Sequence, residues 1–163
     1  MKRGLRNNNP LNIRRTATHW QGAREEQKDK SFVQFKTMAY GYRAAWKILQ
    51  SYYEHFCRED KPFTVRNIIG RWAPPNENDT EAYIQSVLKL GSLGGKEKLP
   101  PPSEVSGYGR LSRLMEAMPC IECGIPQAQV DTEAICQGYQ LAFPNHQEKL
   151  KEWLKGEDEY ADW

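Results

Sequence analysis

Apolar side chains recur at helical spacing in the stretch that follows residue 41, and this pattern constrains the fold more than any other feature. Every third or fourth position is apolar over roughly four or five turns, so one stripe of the helix is apolar and its other faces are polar. Such a stripe must be buried against other parts of the protein. The pattern therefore predicts a long amphipathic helix that packs on a core. The stripe contains Tyr42, Ala45, Trp46, Leu49, Tyr53 and Phe56.

Capping and stop residues predict further, shorter helices. The first shorter helix starts near Thr64 and ends at Pro74-Pro75, because proline disrupts a helix. The second starts at Asn78 or Asp79 and ends near Gly91. Apolar residues at helical spacing over 111–118 indicate another. The residues that can cap helix starts are, in chain order, Thr64, then Asn78 or Asp79, then Asp131, and finally Asn145 with Glu148 as a capping box.

A chain of 163 residues, 39% of them hydrophobic, fits one ordinary domain with its own core. We expect an N-terminal part (1–91) with helices and a short β element, a Gly- and Pro-rich connector (92–109), C-terminal helices (110–156) and an acidic tail (157–163). The β element is predicted at 32–35, where apolar and polar residues alternate. The predicted fold class is mainly α.

The start of the chain is locally basic although the net charge is only +2. Cell-wall polymers or nucleic acid could meet such a surface, which is also typical of an ordinary solvated face. Nucleic acid is not favoured, because no basic stripe runs along a predicted helix. No apolar run has the length of a membrane span, and no signal-peptide stretch follows Met1. The basic residues that precede the first acidic residue, Glu25, are Lys2, Arg3, Arg6, Arg14, Arg15 and Arg24.

Four cysteines, Cys57, Cys120, Cys123 and Cys136, include one C-x-x-C. A four-ligand zinc site would need Cys57 brought in from a distant helix, and no βαβ pattern surrounds the pair to suggest redox chemistry. We interpret the cysteines as small buried thiols and predict no metal and no cofactor.

Five ordered blocks of the sequence resemble a phage and prophage family, whose members are usually labelled virion structural proteins and look like lysozyme-superfamily domains. A more distant similarity is to glucosaminidase-type wall hydrolases. The order and spacing of the blocks carry the resemblance. They are RGLRNNNPLNIR at 3–14, WQG at 20–22, FVQF at 32–35, GYRAAWKIL at 41–49 and RWAPPNENDTEAYI at 71–84.

The resemblance implies a lysozyme-like fold of the α+β kind with an unusual chain order. In such hydrolases the acid glutamate lies on a helix just before the asparagine-led segment, where this chain has only residues 1–8. AMPCIECG at 117–124 is similar to a run that the phage family carries after the linker. If this helix occupies the place of the missing first helix, the fold is a circularly permuted lysozyme fold.

Glu122 is the predicted general acid. Cleaving a glycosidic bond near neutral pH requires a carboxylic acid that an apolar setting keeps protonated. Glu122 follows Met118 by four residues and Leu111 by eleven, so a continuous helix places it on the apolar face. Gly124 can turn the chain away. Pro119 is expected to disrupt the helix, and the alternative is that Glu122 is a surface carboxylate at a helix end.

Glu77 is the first candidate for the second catalytic group, which stabilises positive charge or orients water, and Asp79 in the same loop is another. The alternative for its loop is ordinary helix capping around Asp79. Other candidate carboxylates are Glu25, Glu26 and Asp29. The predicted substrate-binding residues are Arg6, Asn8 and Asn9, which can hydrogen-bond sugar amides and carboxylates, and Trp20, Trp72 and Tyr83, which can stack on pyranose rings, although Trp72 also fits a core position.

The predicted function is a peptidoglycan-degrading glycosidase, a muramidase or lytic transglycosylase, acting on the glycan strands of the bacterial wall. The alternative is a non-catalytic phage virion or wall-binding protein. We expect synthesis in the bacterial cytoplasm without a signal peptide. Phage or secretion machinery would then deliver the protein to the wall or periplasm, or the protein would be part of the virion.

Overall fold

The computed structural model describes residues 1–146, 148–152 and 154–155, and the protein is mainly helical, which confirms the coarse fold class. The predicted acidic tail and Trp153 lie outside these residues. Within them, no helix has both the length and the apolar character needed to cross a membrane. The helices are α1 (Arg3–Arg6), α2 (Met38–Arg58), α3 (Val65–Trp72), α4 (Thr80–Gly91), α5 (Val105–Glu122) and α6 (Thr132–Ala142), with 3-10 turns at Gln127–Gln129 and Pro144–His146.

The long amphipathic helix is α2, and its predicted stripe is confirmed. Tyr42, Trp46 and Leu49 are almost fully buried, and Tyr53 packs against the core from its edge. The helix begins four residues before the stripe because Thr37 caps it, accepting a hydrogen bond from the backbone N–H of Tyr40 at 3.2 Å.

Three predicted N-caps are confirmed by the same geometry. In each case a side-chain oxygen accepts a hydrogen bond from the backbone N–H three residues later. Thr64 caps α3, Asp79 caps α4 and Asp131 caps α6. Residues 148–152 are helical as well, and Leu150 is fully buried.

Helix α5 differs from expectation at both ends. It begins at Val105, inside the predicted connector, and it continues through Pro119 to Glu122. The connector packs instead of serving as a spacer: Leu99 is buried, and a Cβ at Gly107 would lie 2.7 Å from the Pro101 carbonyl oxygen. Pro119 lies in the last turn of α5, so its missing amide and its ring disturb only the contact with the carbonyl of Met115, and the helix ends three residues later.

The short β element predicted at 32–35 needs correction, and the N-terminal segment before it contains a helical turn. Residues 3–6 form the single turn of α1, and the described residues contain only isolated antiparallel bridges, Arg14 with Phe32 and Ala23 with Phe35. The Asn9 side chain replaces some of the backbone hydrogen bonds that paired strands would make here. The Asn9 amide donates to the carbonyls of Ile13 and Val33, at 2.9 Å each.

Helices α2 and α6 pack closely at the centre of the core. Gly138 allows this approach, because a Cβ there would lie 2.6 Å from Tyr42 Cβ and 2.8 Å from the Ala39 carbonyl oxygen. Next to this contact the Trp46 ring stacks on Tyr108 and meets Tyr139 edge-on, with centroids 5.8 and 5.0 Å away. The core therefore depends on a backbone-to-backbone contact that no larger residue permits.

Replacing Gly138 with alanine should destabilise the protein. The added methyl group meets backbone atoms of α2, so the helices must separate, and overpacking of this kind costs about 1–3 kcal/mol. Chemical denaturation would measure the change in the free energy of unfolding. Gly70→Ala is the matched control, because a Cβ at Gly70 has no neighbour within 4 Å and alanine favours a helix by up to about 1 kcal/mol. Equal effects of the two substitutions would contradict the packing argument.

Candidate functional site

A cleft of about 410 Å³ opens where the end of α5 meets the end of α3, the middle of α2 and the N-terminal segment. Its volume falls within the range of roughly 300–1,000 Å³ that is typical of small-molecule sites. Its lining combines aromatic rings with polar groups. The lining residues are Asn12, Ile13, Arg14, Thr16, Trp20, Phe32, Ile48, Tyr52, Trp72, Ala73, Glu77, Asn78 and Glu122.

Glu122 is the last residue of α5, and its half-buried side chain lies in the wall of the cleft. The Tyr83 hydroxyl donates to Glu122 Oε2 at 2.9 Å. Burial raises the pKa of Glu122, and the polar groups of Tyr83, Asn12 and Trp72 and the positive charge of Arg14 oppose the rise. The carboxyl group therefore has a perturbed pKa in a cleft, which is a feature of many functional acids.

The N-terminal segment fixes the end of α5 directly. Asn12 Nδ2 donates to the backbone carbonyl of Glu122 at 3.0 Å, and the Cys123 thiol donates to the carbonyl of Pro10 at 3.3 Å. Asn12 has φ of 52°, a left-handed conformation that asparagine tolerates better than most residues. These contacts hold the last turn of α5, and with it the backbone of Glu122, against the N-terminal segment.

Glu77 lines the same cleft as Glu122, so the structure brings the two predicted catalytic carboxylates together. It is exposed and lies in the loop between α3 and α4. The backbone N–H of Glu77 donates to the Pro74 carbonyl at 3.2 Å, and the Thr80 hydroxyl donates to the Ala73 carbonyl at 2.6 Å. The loop is thus held in place by its own hydrogen bonds, while Asp79 serves as the cap of α4.

Of the three aromatic residues predicted to bind sugar, Trp20 and Trp72 line the cleft and Tyr83 does not. Tyr83 is only 7% exposed, and burial together with the Glu122 charge raises its pKa well above the usual value. Its structural contact is the hydrogen bond to Glu122. Trp72 is half-buried and lines the cleft, where its side chain helps to lower the pKa of Glu122.

The polar residues predicted to bind sugar lie elsewhere. Asn9 is fully buried, and its amide is used by the backbone of the N-terminal segment. The amide of Asn8 donates to the carbonyls of Phe35 and Lys36, both at 3.2 Å. Arg6 and Asn8 line a separate groove. The structure therefore brings none of these three residues to the cleft of Glu122.

The other candidate carboxylates are also away from this cleft. Asp29 accepts hydrogen bonds from the Arg3 guanidinium at 2.6 and 2.7 Å and from Asn7 at 2.9 Å, and these contacts hold the pKa of Asp29 well below its usual range. Asp29 and Arg3 therefore form a structural ion pair. Glu25 lines a different groove, and Glu26 is exposed in the same loop.

Asn12, Arg14 and Tyr52 line the cleft but were not predicted as site residues; Arg14 was noted only as part of the basic start of the chain. The left-handed backbone of Asn12 is a conformation that its residue type permits but does not require. Tyr52 lies beside the apolar stripe of α2 and meets Trp72 edge-on at 6.3 Å between ring centroids, which only the packing of α2 against α3 reveals.

The four cysteines form no disulfide and no metal cluster that the structure can describe. All four thiols are free, with Cys123 buried and Cys57 exposed. Within the described ranges, no group of three or more histidine, cysteine or acidic side chains is close enough together to hold a metal ion.

The sequence is similar to that of a phage protein. It is 42% identical over 100 residues to "Protein P5" of Pseudoalteromonas phage PM2. The matched region covers 60% of this chain and 60% of the relative's length. No protein-family model matches the chain.

Replacing Glu122 with glutamine should stabilise the protein more at pH 8 than at pH 4. A raised folded-state pKa means that the protonated acid contributes stability below the unfolded-state pKa, and that this contribution is lost as pH rises through the folded-state pKa. Glutamine never ionises, so the variant avoids the loss, which is about 1.4 kcal/mol for each unit of pKa shift. Urea denaturation at the two pH values measures the difference.

The control for this experiment is Glu26→Gln. The Glu26 side chain is exposed, so its replacement should change the free energy of unfolding by less than about 0.5 kcal/mol at either pH. A stability difference between wild type and the Glu122 variant that does not grow with pH would show that Glu122 is not a buried acid.

Proposed function

We propose that this protein is a peptidoglycan-degrading glycosidase, of the muramidase or lytic transglycosylase type, that acts as part of a phage or a phage-derived system. The observation that carries the proposal is the position of Glu122, a half-buried carboxyl group with a raised pKa in a cleft that Glu77 also lines.

Glycoside cleavage requires a proton donor at the leaving oxygen, and a carboxyl group acts as that donor when its surroundings disfavour the charged form. Glu122 meets this requirement through burial. Tyr83 holds its carboxyl group and Asn12 holds its backbone carbonyl, so little conformational freedom has to be lost when a substrate binds.

Glu77 provides the second carboxylate in the proposed mechanism. Its exposed position in the cleft suits a group that stabilises positive charge on the sugar or orients an attacking water molecule. Trp20 and Trp72 offer aromatic surfaces against which pyranose rings can pack. The arrangement is compatible with hydrolysis and with the formation of an anhydro product.

The chain order supports the proposal of a circularly permuted lysozyme-like fold. The acid of related wall hydrolases lies on a helix that leads into the asparagine-led segment, and here the end of α5 is attached to Pro10 and Asn12 of that segment. Helix α5 therefore approaches the segment from the C-terminal part of the chain.

A second candidate function is a non-catalytic virion or wall-binding protein. The similarity to a phage protein favours this alternative more than it favours an enzyme, and a sugar cleft can be retained without catalysis. The two functions differ in whether a bond is cleaved.

Purified protein incubated with peptidoglycan should release soluble muropeptides, and the Glu122→Gln variant should lose most of this activity. Removal of a general acid lowers rates by roughly 10²–10⁴-fold. Glu77→Gln should also lower the rate, while Glu26→Gln should match the wild type. Chromatography with mass spectrometry of the products measures release and distinguishes reducing ends from anhydro ends.

Two outcomes would reject the enzymatic proposal. Unchanged release by a folded Glu122→Gln variant would show that another group supplies the proton. Wild-type protein that sediments with insoluble peptidoglycan without releasing product would support the non-catalytic alternative.

The pH dependence of cleavage should shift when Tyr83 is replaced with phenylalanine. The Tyr83 hydroxyl stabilises the carboxylate form of Glu122, so its loss raises the pKa of Glu122 further. Activity that depends on protonated Glu122 falls as pH rises through that pKa, and the fall should therefore move to higher pH. Profiles of kcat/KM against pH measure the shift, with Tyr40→Phe, outside the cleft, as control. A shift to lower pH would contradict the assigned role of Tyr83.

A further inference from the structure

We propose that the cleft selects glycans that carry carboxylate groups, and that Arg14 is the residue that binds the carboxylate. This inference rests on the proposed function in taking the cleft to be a glycan site. It adds a residue that determines specificity. Arg14 would favour a wall glycan with acidic substituents over a neutral polymer of N-acetylated sugars.

The first argument is that the charge of Arg14 is available. Its exposed side chain lines the cleft, and in the part of the chain that the structure describes it makes neither an ion pair nor a side-chain hydrogen bond. Five other arginines already have partners in the protein. Arg3, Arg66 and Arg110 pair with Asp29, Glu81 and Glu97, and Arg15 and Arg24 donate to backbone carbonyls.

The second argument is that Arg14 is held in place. Its backbone forms an antiparallel bridge with Phe32, and its guanidinium lies over the Phe32 ring, with Cζ 5.5 Å from the centroid. Phe32 also lines the cleft. Arg3 lies over the same ring at 4.6 Å, but Asp29 neutralises Arg3. Arg14 is therefore the cation on this ring whose donors are free for a ligand.

The third argument is chemical. A guanidinium group presents paired N–H donors that match the two oxygens of a carboxylate, and stacking on an aromatic ring limits the freedom that is lost on binding. In peptidoglycan, lactyl and peptide groups place carboxyl functions along the strand, whereas a neutral N-acetylglucosamine polymer has none. Arg14 would distinguish these two polymers.

Arg14 also lies close enough to Glu122 for its positive charge to lower the pKa of the acid. A bound carboxylate would offset this charge and favour the protonated form of Glu122. Binding of an acidic glycan and protonation of Glu122 would therefore be coupled through Arg14.

The test measures binding in the Glu122→Gln background, so that cleavage cannot remove the ligand. Titration calorimetry would compare a muropeptide tetrasaccharide with free carboxyl groups, the same compound with its carboxyl groups amidated, and chitotetraose. Arg14→Gln should lower affinity for the carboxylated ligand by roughly 10- to 100-fold, the range expected for a charge-assisted hydrogen-bond pair, and should leave the other two affinities unchanged. Arg6→Gln, an exposed arginine at a separate groove, is the control and should bind all three like its parent.

The possible failures are distinguishable. Equal losses for charged and neutral ligands in Arg14→Gln would overturn the inference, as would an equal loss for a single-stranded oligonucleotide, which would indicate a general anion site. If selectivity depends on Arg14 while wild-type protein releases no muropeptide, the inference stands and the enzymatic proposal fails. If cleavage depends on Glu122 while Arg14→Gln keeps full preference for carboxylated ligand, the enzymatic proposal stands and the inference fails.

Discussion

The attachment of the last turn of α5 to the N-terminal segment is the contact on which the candidate site depends. The amide of Asn12 reaches a carbonyl 110 residues away, and the thiol of Cys123 reaches Pro10. Without this attachment the end of α5 would be open to water, and the burial that raises the pKa of Glu122 would be lost. The same attachment places the end of the helix beside the loop of Glu77. Two distant parts of the chain thus form one acidic cleft.

The asparagine run at 7–9 shows how a motif can identify a segment without supplying its chemistry. The sequence predicted that Asn8 and Asn9 of this run contact sugar, because their side chains can hydrogen-bond sugar amides and carboxylates. The structure uses them internally: Asn7 bonds Asp29 and accepts from Gln34, and Asn9 replaces strand hydrogen bonds. A buried amide must find partners in the protein. Sequence alone does not show whether an amide is buried, so this distinction could not be made from the pattern.

Local signals predicted the helices well because they act within a few residues. Caps such as Thr64 and Asp131 and the apolar stripe of α2 depend only on nearby positions. The start of α5 could not be predicted in this way, since Gly- and Pro-rich sequence is typical of a spacer and only tertiary packing buries Leu99 and Gly107. The same limit applies to the site. Helical spacing placed Glu122 on an apolar face, but nothing local indicated that Asn12 and Tyr52 would line the same cleft.

The surroundings of Glu122 combine two opposing effects, and their balance bears on catalysis. Tyr83, Trp72 and Asn12 stabilise the carboxylate, while burial favours the neutral acid, and burial has the larger effect in the free protein. These three side chains belong to the protein, so a ligand in the cleft need not displace them. A glycan that fills the cleft would remove water and lower the local dielectric, which raises the pKa of a carboxyl group further. We therefore expect Glu122 to be a better proton donor with substrate bound than in the empty cleft, because the bound glycan raises its pKa.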